Sequence, residues 1–183
     1  MSSSNSSASV EDESSPGFLM RSTIKSMSLK FSSVKNVSTG QLWSWLKTPQ
    51  ERQVFILDTR PVEEYNISHI ENAVRVSHED SDMNSLVQTL EQSLAGKPNP
   101  TVVCYCSVGY RSSVVAQNLQ KFYKDSGKTP VPEIYNLAGS LFQWANEERP
   151  MVDSNGRQTH FAHPYTSFWG KLLHAQHRAN VSS

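Results

Sequence analysis

Between Thr101 and Ser113 the chain reads TVVCYCSVGYRSS, and this stretch limits the folds available to it. Thr101, Val102, Val103 and Tyr105 bracket Cys104 in a short apolar, β-prone run, the pattern of a strand buried on both faces. The run breaks at Cys106-Ser107-Val108-Gly109 and resumes in helical rhythm from Ser112. A strand buried on both faces belongs inside an α/β domain, and Cys106 then stands where strand turns to helix. Backbone N–H groups at such a turn point into the loop and favour negative charge there. Gly109 permits the positive φ that closes the loop and Arg111 adds a fixed cation, so the Cys106 thiol is expected below its free value of about 8.5, as a reactive nucleophile. Ser107, Val108, Gly109, Tyr110 and Arg111 would form the anion-binding loop around it.

Elements on either side support the same class. Ser38-Thr39-Gly40-Gln41 is a capping box and predicts a helix over Leu42 to Lys47, stopped by Thr48-Pro49. Val54 to Leu57 reads as a buried strand ending in Asp58-Thr59-Arg60-Pro61, and Pro61 starts a short helix over Val62 to Tyr65. Asp58 and Arg60 are read as structural support of the site, a carboxylate and a guanidinium pairing with each other or with neighbouring loops. Met83, Leu86, Leu90 and Leu94 recur at helical spacing. Val115, Leu119 and Phe122 do the same in the helix after the cysteine loop, and Glu133 to Asn136 reads as another strand. Strands alternating with helices imply a parallel sheet with helices on both faces, since parallel neighbours need crossover connections.

The run CSVGYRSS resembles the active-site loop of the rhodanese-like sulfurtransferases, in which a cysteine opens a loop that closes at the start of a helix. Tyr65, His69, Ile70, Ala73 and Val76 match an upstream signature of that family, with Glu71-Asn72 standing where Pro-Gly is usual. Ala138, Gly139, Ser140 and Trp144 match its C-terminal signature, while Leu141 and Gln143 depart from it. The resemblance implies a rhodanese-like α/β fold over residues 36–150 and a sulfur-transfer reaction through a persulfide on Cys106. Donors would be thiosulfate or a persulfide, small or protein-bound, acceptors a thiol or cyanide, with no cofactor and no metal. His69 takes a structural place, because it precedes a strand rather than lining the cysteine loop. Four residues separate Cys106 from Arg111, against five in the phosphatases of the same fold, so the cradle suits one sulfur atom better than a phosphate. A phosphatase or arsenate reductase is one rival, and an interaction or redox-sensing module that keeps the cysteine without turnover is the other.

Lys+Arg and Asp+Glu are equal at 17 each in 183 residues, so nothing global points to nucleic acid or to an anionic membrane. The two cysteines, Cys104 and Cys106, are too close to staple a fold, and a disulfide between them would be strained. Cys104 is read as an inert packing residue. With no signal peptide and no membrane-length apolar run, the expected location is the cytoplasm, or an organelle if translation starts at Met20, where a basic, Ser-rich stretch begins. Residues 1–35 are expected to be disordered on composition. Residues 151–183 are expected to pack Phe161, Tyr165, Phe168, Trp169, Leu172 and Leu173 on the domain. The pairs His160/His163 and His174/His177 have zinc-like spacing without a carboxylate or Cys partner, and are assigned to packing.

Overall fold

Lys35–Val37 (β1), Val54–Asp58 (β2), Val74–Arg75 (β3), Thr101–Tyr105 (β4) and Glu133–Leu137 (β5) pair in the order β1-β5-β4-β2-β3, every pairing parallel. The computed structural model describes residues 16–79 and 82–181. Strand β4 sits at the centre with all five residues buried, as its unbroken apolar run requires. Side chains alternate along it, so Val102 and Cys104 enter one core while Val103 and Tyr105 enter the other.

The first core is completed by α4 (Met83–Leu94), with Leu86, Val87, Leu90 and Leu94, and by α5 (Tyr110–Ser126), with Val115, Ala116, Leu119 and Tyr123. Asp82 caps α4, its carboxylate accepting the Asn84 N–H at 3.0 Å. The opposite core takes Leu42 from α2 (Thr39–Lys47), then Leu141, Phe142 and Trp144 from α6 (Ser140–Asn146). Ser38 caps α2 by accepting the Gln41 N–H at 3.1 Å. The α/β parallel sheet with helices on both faces is therefore present, and it brings the C-terminal ends of β2, β4 and β5 to one edge, where open sheets of this kind place their sites.

Three expectations need correction. Residues 16–35 are ordered: Pro16–Lys30 forms a helix (α1) with Met20 only 1 % exposed, Phe31 and Val34 are buried, and β1 begins at Lys35. Met20, Ile24, Met27 and Phe31 recur at spacings of four, three and four, a helical stripe scattered among serines and therefore invisible to composition. Residues 1–15 of the proposed tail lie outside the described residues. The helix after the cysteine loop starts at Tyr110 rather than Ser112, because Gly109 turns the chain in at φ 116° and Ser113 N–H already bonds the Gly109 carbonyl at 3.2 Å. The C-terminal segment packs through Ala162, Leu172, Leu173 and His177, whereas Phe161 and Phe168 are exposed, at 52 % and 67 %. Phe168 instead meets Trp169 edge-on at 5.1 Å. At the start of that segment, β6 (Met151–Val152) and β7 (Gln158–Thr159) form a small hairpin, tied to the domain where Val152 pairs with His69. No helix among the described residues is long and apolar enough to cross a membrane.

Candidate active site

Cys106 leaves the end of β4 and lies beneath the first turn of α5, with 1 % of its surface exposed. The Gly109 N–H donates to its Sγ at 3.1 Å and the Ser112 hydroxyl lies 3.6 Å from it. Burial pushes the thiol up and is the largest single influence. The Arg111 guanidinium, the amide and hydroxyl of Ser112 and the amide of Gly109 together outweigh it, so the Cys106 pKa lies below the ordinary thiol value. Cys104, packed in the apolar core beneath α4 and α5 with no such donors, is pushed up to about 12 by burial alone. Two residues apart, one thiol is lowered and the other raised, because the helix N-terminus faces only one of them.

Arg111 does not point an idle charge at the sulfur. Its Nη1 donates to Glu64 Oε1 at 2.9 Å, and its Nη2 donates to Glu64 Oε2 and Ser107 Oγ, both at 3.0 Å. Ser107 in turn donates to Glu64 Oε2 at 2.7 Å. Glu64 lies on α3 (Val62–Ile67), the short helix that Pro61 starts, and is buried. The Tyr165 ring covers the guanidinium at 4.4 Å. Burial works against the Arg111 cation, yet the Glu64 hydrogen bonds and the negative charge of Cys106 more than compensate and raise its pKa. The guanidinium thus braces the loop from behind, binding two loop residues to α3.

A second clamp comes from α6. Leu141 N–H donates to the Cys106 carbonyl at 3.0 Å and Phe142 N–H to the Ser107 carbonyl at 3.1 Å, so the free amides of one helix start hold the loop of another. Two successive left-handed residues make this approach, Gly139 at φ 72° and Ser140 at φ 50°. A Cβ on Gly139 would stand 2.5 Å from Gln143 Cβ, so only glycine fits. Ser140 bears a conformational cost of about 1–2 kcal/mol, offset by accepting the Cys106 N–H at 3.2 Å and donating to the Leu137 carbonyl at 3.2 Å.

Asp58 and Arg60 lie apart from the sulfur's partners and form a buried network. Arg60 donates to both Asp58 oxygens, Tyr105 O–H donates to Asp58 Oδ2 at 2.6 Å, and Arg60 Nη2 donates to the Ser68 carbonyl at 2.6 Å. Ile70 N–H closes the circuit on the Tyr105 hydroxyl at 3.1 Å. The pair therefore joins β2, β4 and the 68–70 turn. His69 stacks on Tyr65 with ring centroids 3.9 Å apart, its Nδ1 3.0 Å from the Tyr65 carbonyl, and takes no part in the cysteine loop.

The tail histidines make backbone contacts: His163 Nδ1 accepts the Tyr165 N–H at 2.9 Å, and His177 Nδ1 lies 3.0 Å from the His160 carbonyl. Among the described residues no three His, Cys, Asp or Glu side chains gather as a metal set would. The cysteine loop is instead overlain by α1. Met27 Cγ is 3.8 Å from where a Gly109 Cβ would stand, Ile24 Cδ1 is 3.2 Å from the same point on Gly139, and Phe31 meets the Tyr110 ring edge-on at 5.5 Å. Sequence reasoning missed Glu64, Tyr165 and this cover. Only the stripe from Met20 to Phe31 offered a signal for any of them.

Residues 38–147 match the rhodanese-like domain family. Over 122 residues the chain is 30 % identical to thiosulfate sulfurtransferase GlpE of Coxiella burnetii, a match covering 66 % of this chain and 95 % of that protein. Among solved structures it resembles a Saccharomyces cerevisiae homologue of single-domain rhodanese and of a phosphatase catalytic domain, at TM-score 0.55 and 16 % identity over 64 % of this chain and 86 % of that one. It also resembles the As-Sb reductase of Leishmania major, at TM-score 0.54 and 14 % identity over 69 % and 92 %. Both α1 and Tyr165 lie outside residues 38–147. With its parallel sheet, its cysteine loop between β4 and α5 and these matches, the chain belongs to the rhodanese-like family.

Proposed function

We propose that this protein is a sulfurtransferase working through a persulfide on Cys106. The observation that carries the reading is a thiol held below its ordinary pKa in a cradle whose polar groups nearest sulfur are the Gly109 amide and the Ser112 hydroxyl, while both terminal nitrogens of the nearest guanidinium are committed to Glu64 and Ser107. Such a cradle suits one sulfur atom. A phosphoryl group would ask the guanidinium for a bidentate contact that Glu64 already occupies.

In the first half-reaction the Cys106 thiolate attacks the outer sulfur of thiosulfate or the terminal sulfur of a persulfide. The new S–S bond forms as the old one breaks, and sulfite or a thiolate leaves with the electron pair. The Cys106 persulfide anion then lies among the donors that held the thiolate, together with the dipole of α5. In the second half-reaction a thiolate or cyanide attacks the outer sulfur, and Cys106 departs as the thiolate it was. No net redox change occurs and no cofactor is consumed. A pool of thiols is the natural acceptor, which suits a reducing compartment and the free thiol state of both cysteines.

One observation favours a second reading. Cys106 is almost fully covered, so a module that exposes its thiol only on binding or oxidation is also consistent with this site. Intact-mass spectrometry after thiosulfate separates the two. Sulfur transfer predicts one added sulfur on the wild type, removed by cyanide and absent from Cys106→Ser. No added sulfur, or sulfur on Cys104, would overturn it, and release of phosphate from aryl phosphates at comparable rates would replace it by phosphatase chemistry.

A further inference from the structure

The Ser112 hydroxyl has a single proton and two claimants for it. Cys106 Sγ lies at 3.6 Å, and Asn136 Oδ1 on β5 at 2.6 Å. With the proton on the shorter bond, Ser112 turns a lone pair toward the sulfur. That arrangement suits a thiol, whose S–H can donate, and gives a thiolate nothing.

Which claimant wins depends on which end of the Asn136 amide faces Ser112. Asn136 is buried, and its Nδ2 donates to Asn36 Oδ1 at 2.8 Å, which directs its oxygen at Ser112. Asn36, on β1, is oriented by donating from its own Nδ2 to Ser28 Oγ on α1 at 3.2 Å. A hydrogen-bonded line thus runs from α1 through two amides to the nucleophile, with every donor aimed away from the sulfur. Turning both amides over, with the Ser28 hydroxyl donating to Asn36, would keep every heavy-atom contact and free the Ser112 proton for Cys106.

We propose that Asn136 is a positioning residue that decides whether the Ser112 hydroxyl donates to the Cys106 sulfur, and that Asn36 and Ser28 hold it in the orientation that withholds the donor. Formation of a thiolate or persulfide anion favours the turned-over line. The reactivity of Cys106 is thereby tied to residues on the covering helix and the edge strand. The charged and titratable groups facing the loop are Arg111 of α5 with Glu64 of α3 behind it, and Tyr165 of the C-terminal segment over Arg111. From α1, β5 and α6 the side chains nearest Gly109 are Met27, Asn136 and Ser140, which do not titrate.

The proposal gives a role within the sulfur-transfer reading, but its test is independent of any sulfur donor. The rate of Cys106 alkylation by iodoacetamide is measured against pH on the full chain. Asn136→Leu removes the competing acceptor, so the midpoint should fall by about one pH unit, about tenfold more thiolate below the pKa. Loss of a merely structural contact would leave the midpoint in place, and the added apolar group would raise it. Asn36→Ala, at an exposed position, should shift the midpoint the same way by less, and it decides the matter if Asn136→Leu does not fold. In a Ser112→Ala background, Asn136→Leu should shift nothing. An unchanged or raised midpoint in folded Asn136→Leu, no shift in Asn36→Ala, or a shift that survives Ser112→Ala would each overturn the proposal. Failure of thiosulfate to load Cys106 would count against sulfur transfer and leave the alkylation result standing.

Discussion

Replacing Glu64 by Ala tests whether Arg111 serves as a brace. The substitution removes two hydrogen bonds to the guanidinium and one to Ser107, and leaves Arg111 as a cation 6 % exposed beneath the Tyr165 ring. Breaking a buried ion pair by removing one partner costs about 3–5 kcal/mol, because the surviving charge keeps its desolvation penalty. For a chain of this size each kcal/mol moves the melting temperature by about 2–4 °C, so Tm should fall by about 6–20 °C. Glu64→Gln keeps the shape and one acceptor oxygen and should cost roughly half as much. Removing the negative charge also leaves the Arg111 field at Cys106 uncancelled. The alkylation midpoint of Cys106 should therefore move to lower pH in Glu64→Gln, even as loss of loop geometry slows sulfur transfer. Denaturant melts give the stability, and iodoacetamide rates between pH 5 and 9 give the midpoint. A Tm change under about 2 °C for Glu64→Ala would mean that Arg111 rehydrates freely, and an upward midpoint would mean that Glu64 is not its counter-ion; either result refutes the brace.

In the wild type, Cys106 should alkylate with a midpoint below that of a free thiol, while Cys104, raised to about 12, stays unmodified at neutral pH, as peptide mapping would show. Because the folded Cys106 pKa is depressed, its contribution to stability is complete above the unfolded value of about 8.5 and disappears as pH falls through the lower folded value, which denaturant melts across that window would detect. Gly139→Ala places a Cβ 2.5 Å from Gln143 Cβ at φ 72°, so it should cost about 2 kcal/mol or more and reduce persulfide formation by pulling α6 off the loop carbonyls, as melts and mass spectrometry would report. Met20→Ala opens a cavity under α1 and should cost about 2–3 kcal/mol while speeding Cys106 alkylation, since the covering helix would lift more often; an unchanged alkylation rate would show that access runs by another path.

The chain sequence by itself determined the alternation of strands and helices, the buried central strand and the place of Cys106 between strand and helix. Each is written in contiguous residues: an apolar run at Thr101 to Tyr105, a break at Gly109, helical stripes in α4 and α5. Pairing of Asp58 with Arg60 was legible for the same reason, two complementary charges two residues apart. What tertiary structure alone decided is what the cysteine loop is fastened to. Glu64 is 47 residues from Arg111, Ser140 is 34 from Cys106, and Asn136 is 24 from Ser112. None has a local pattern that marks it, because a carboxylate on a short helix or an amide on a strand reads the same whether it meets solvent or a guanidinium. Helix α1 lay between the two cases: its apolar stripe was present in the letters from Met20 to Phe31, but serines diluted it below what composition detects. Whether such a weak helix is ordered depends on the surface it covers, and only the folded sheet, with Gly139 leaving room for Ile24 and the loop at Gly109 meeting Met27, supplies that surface.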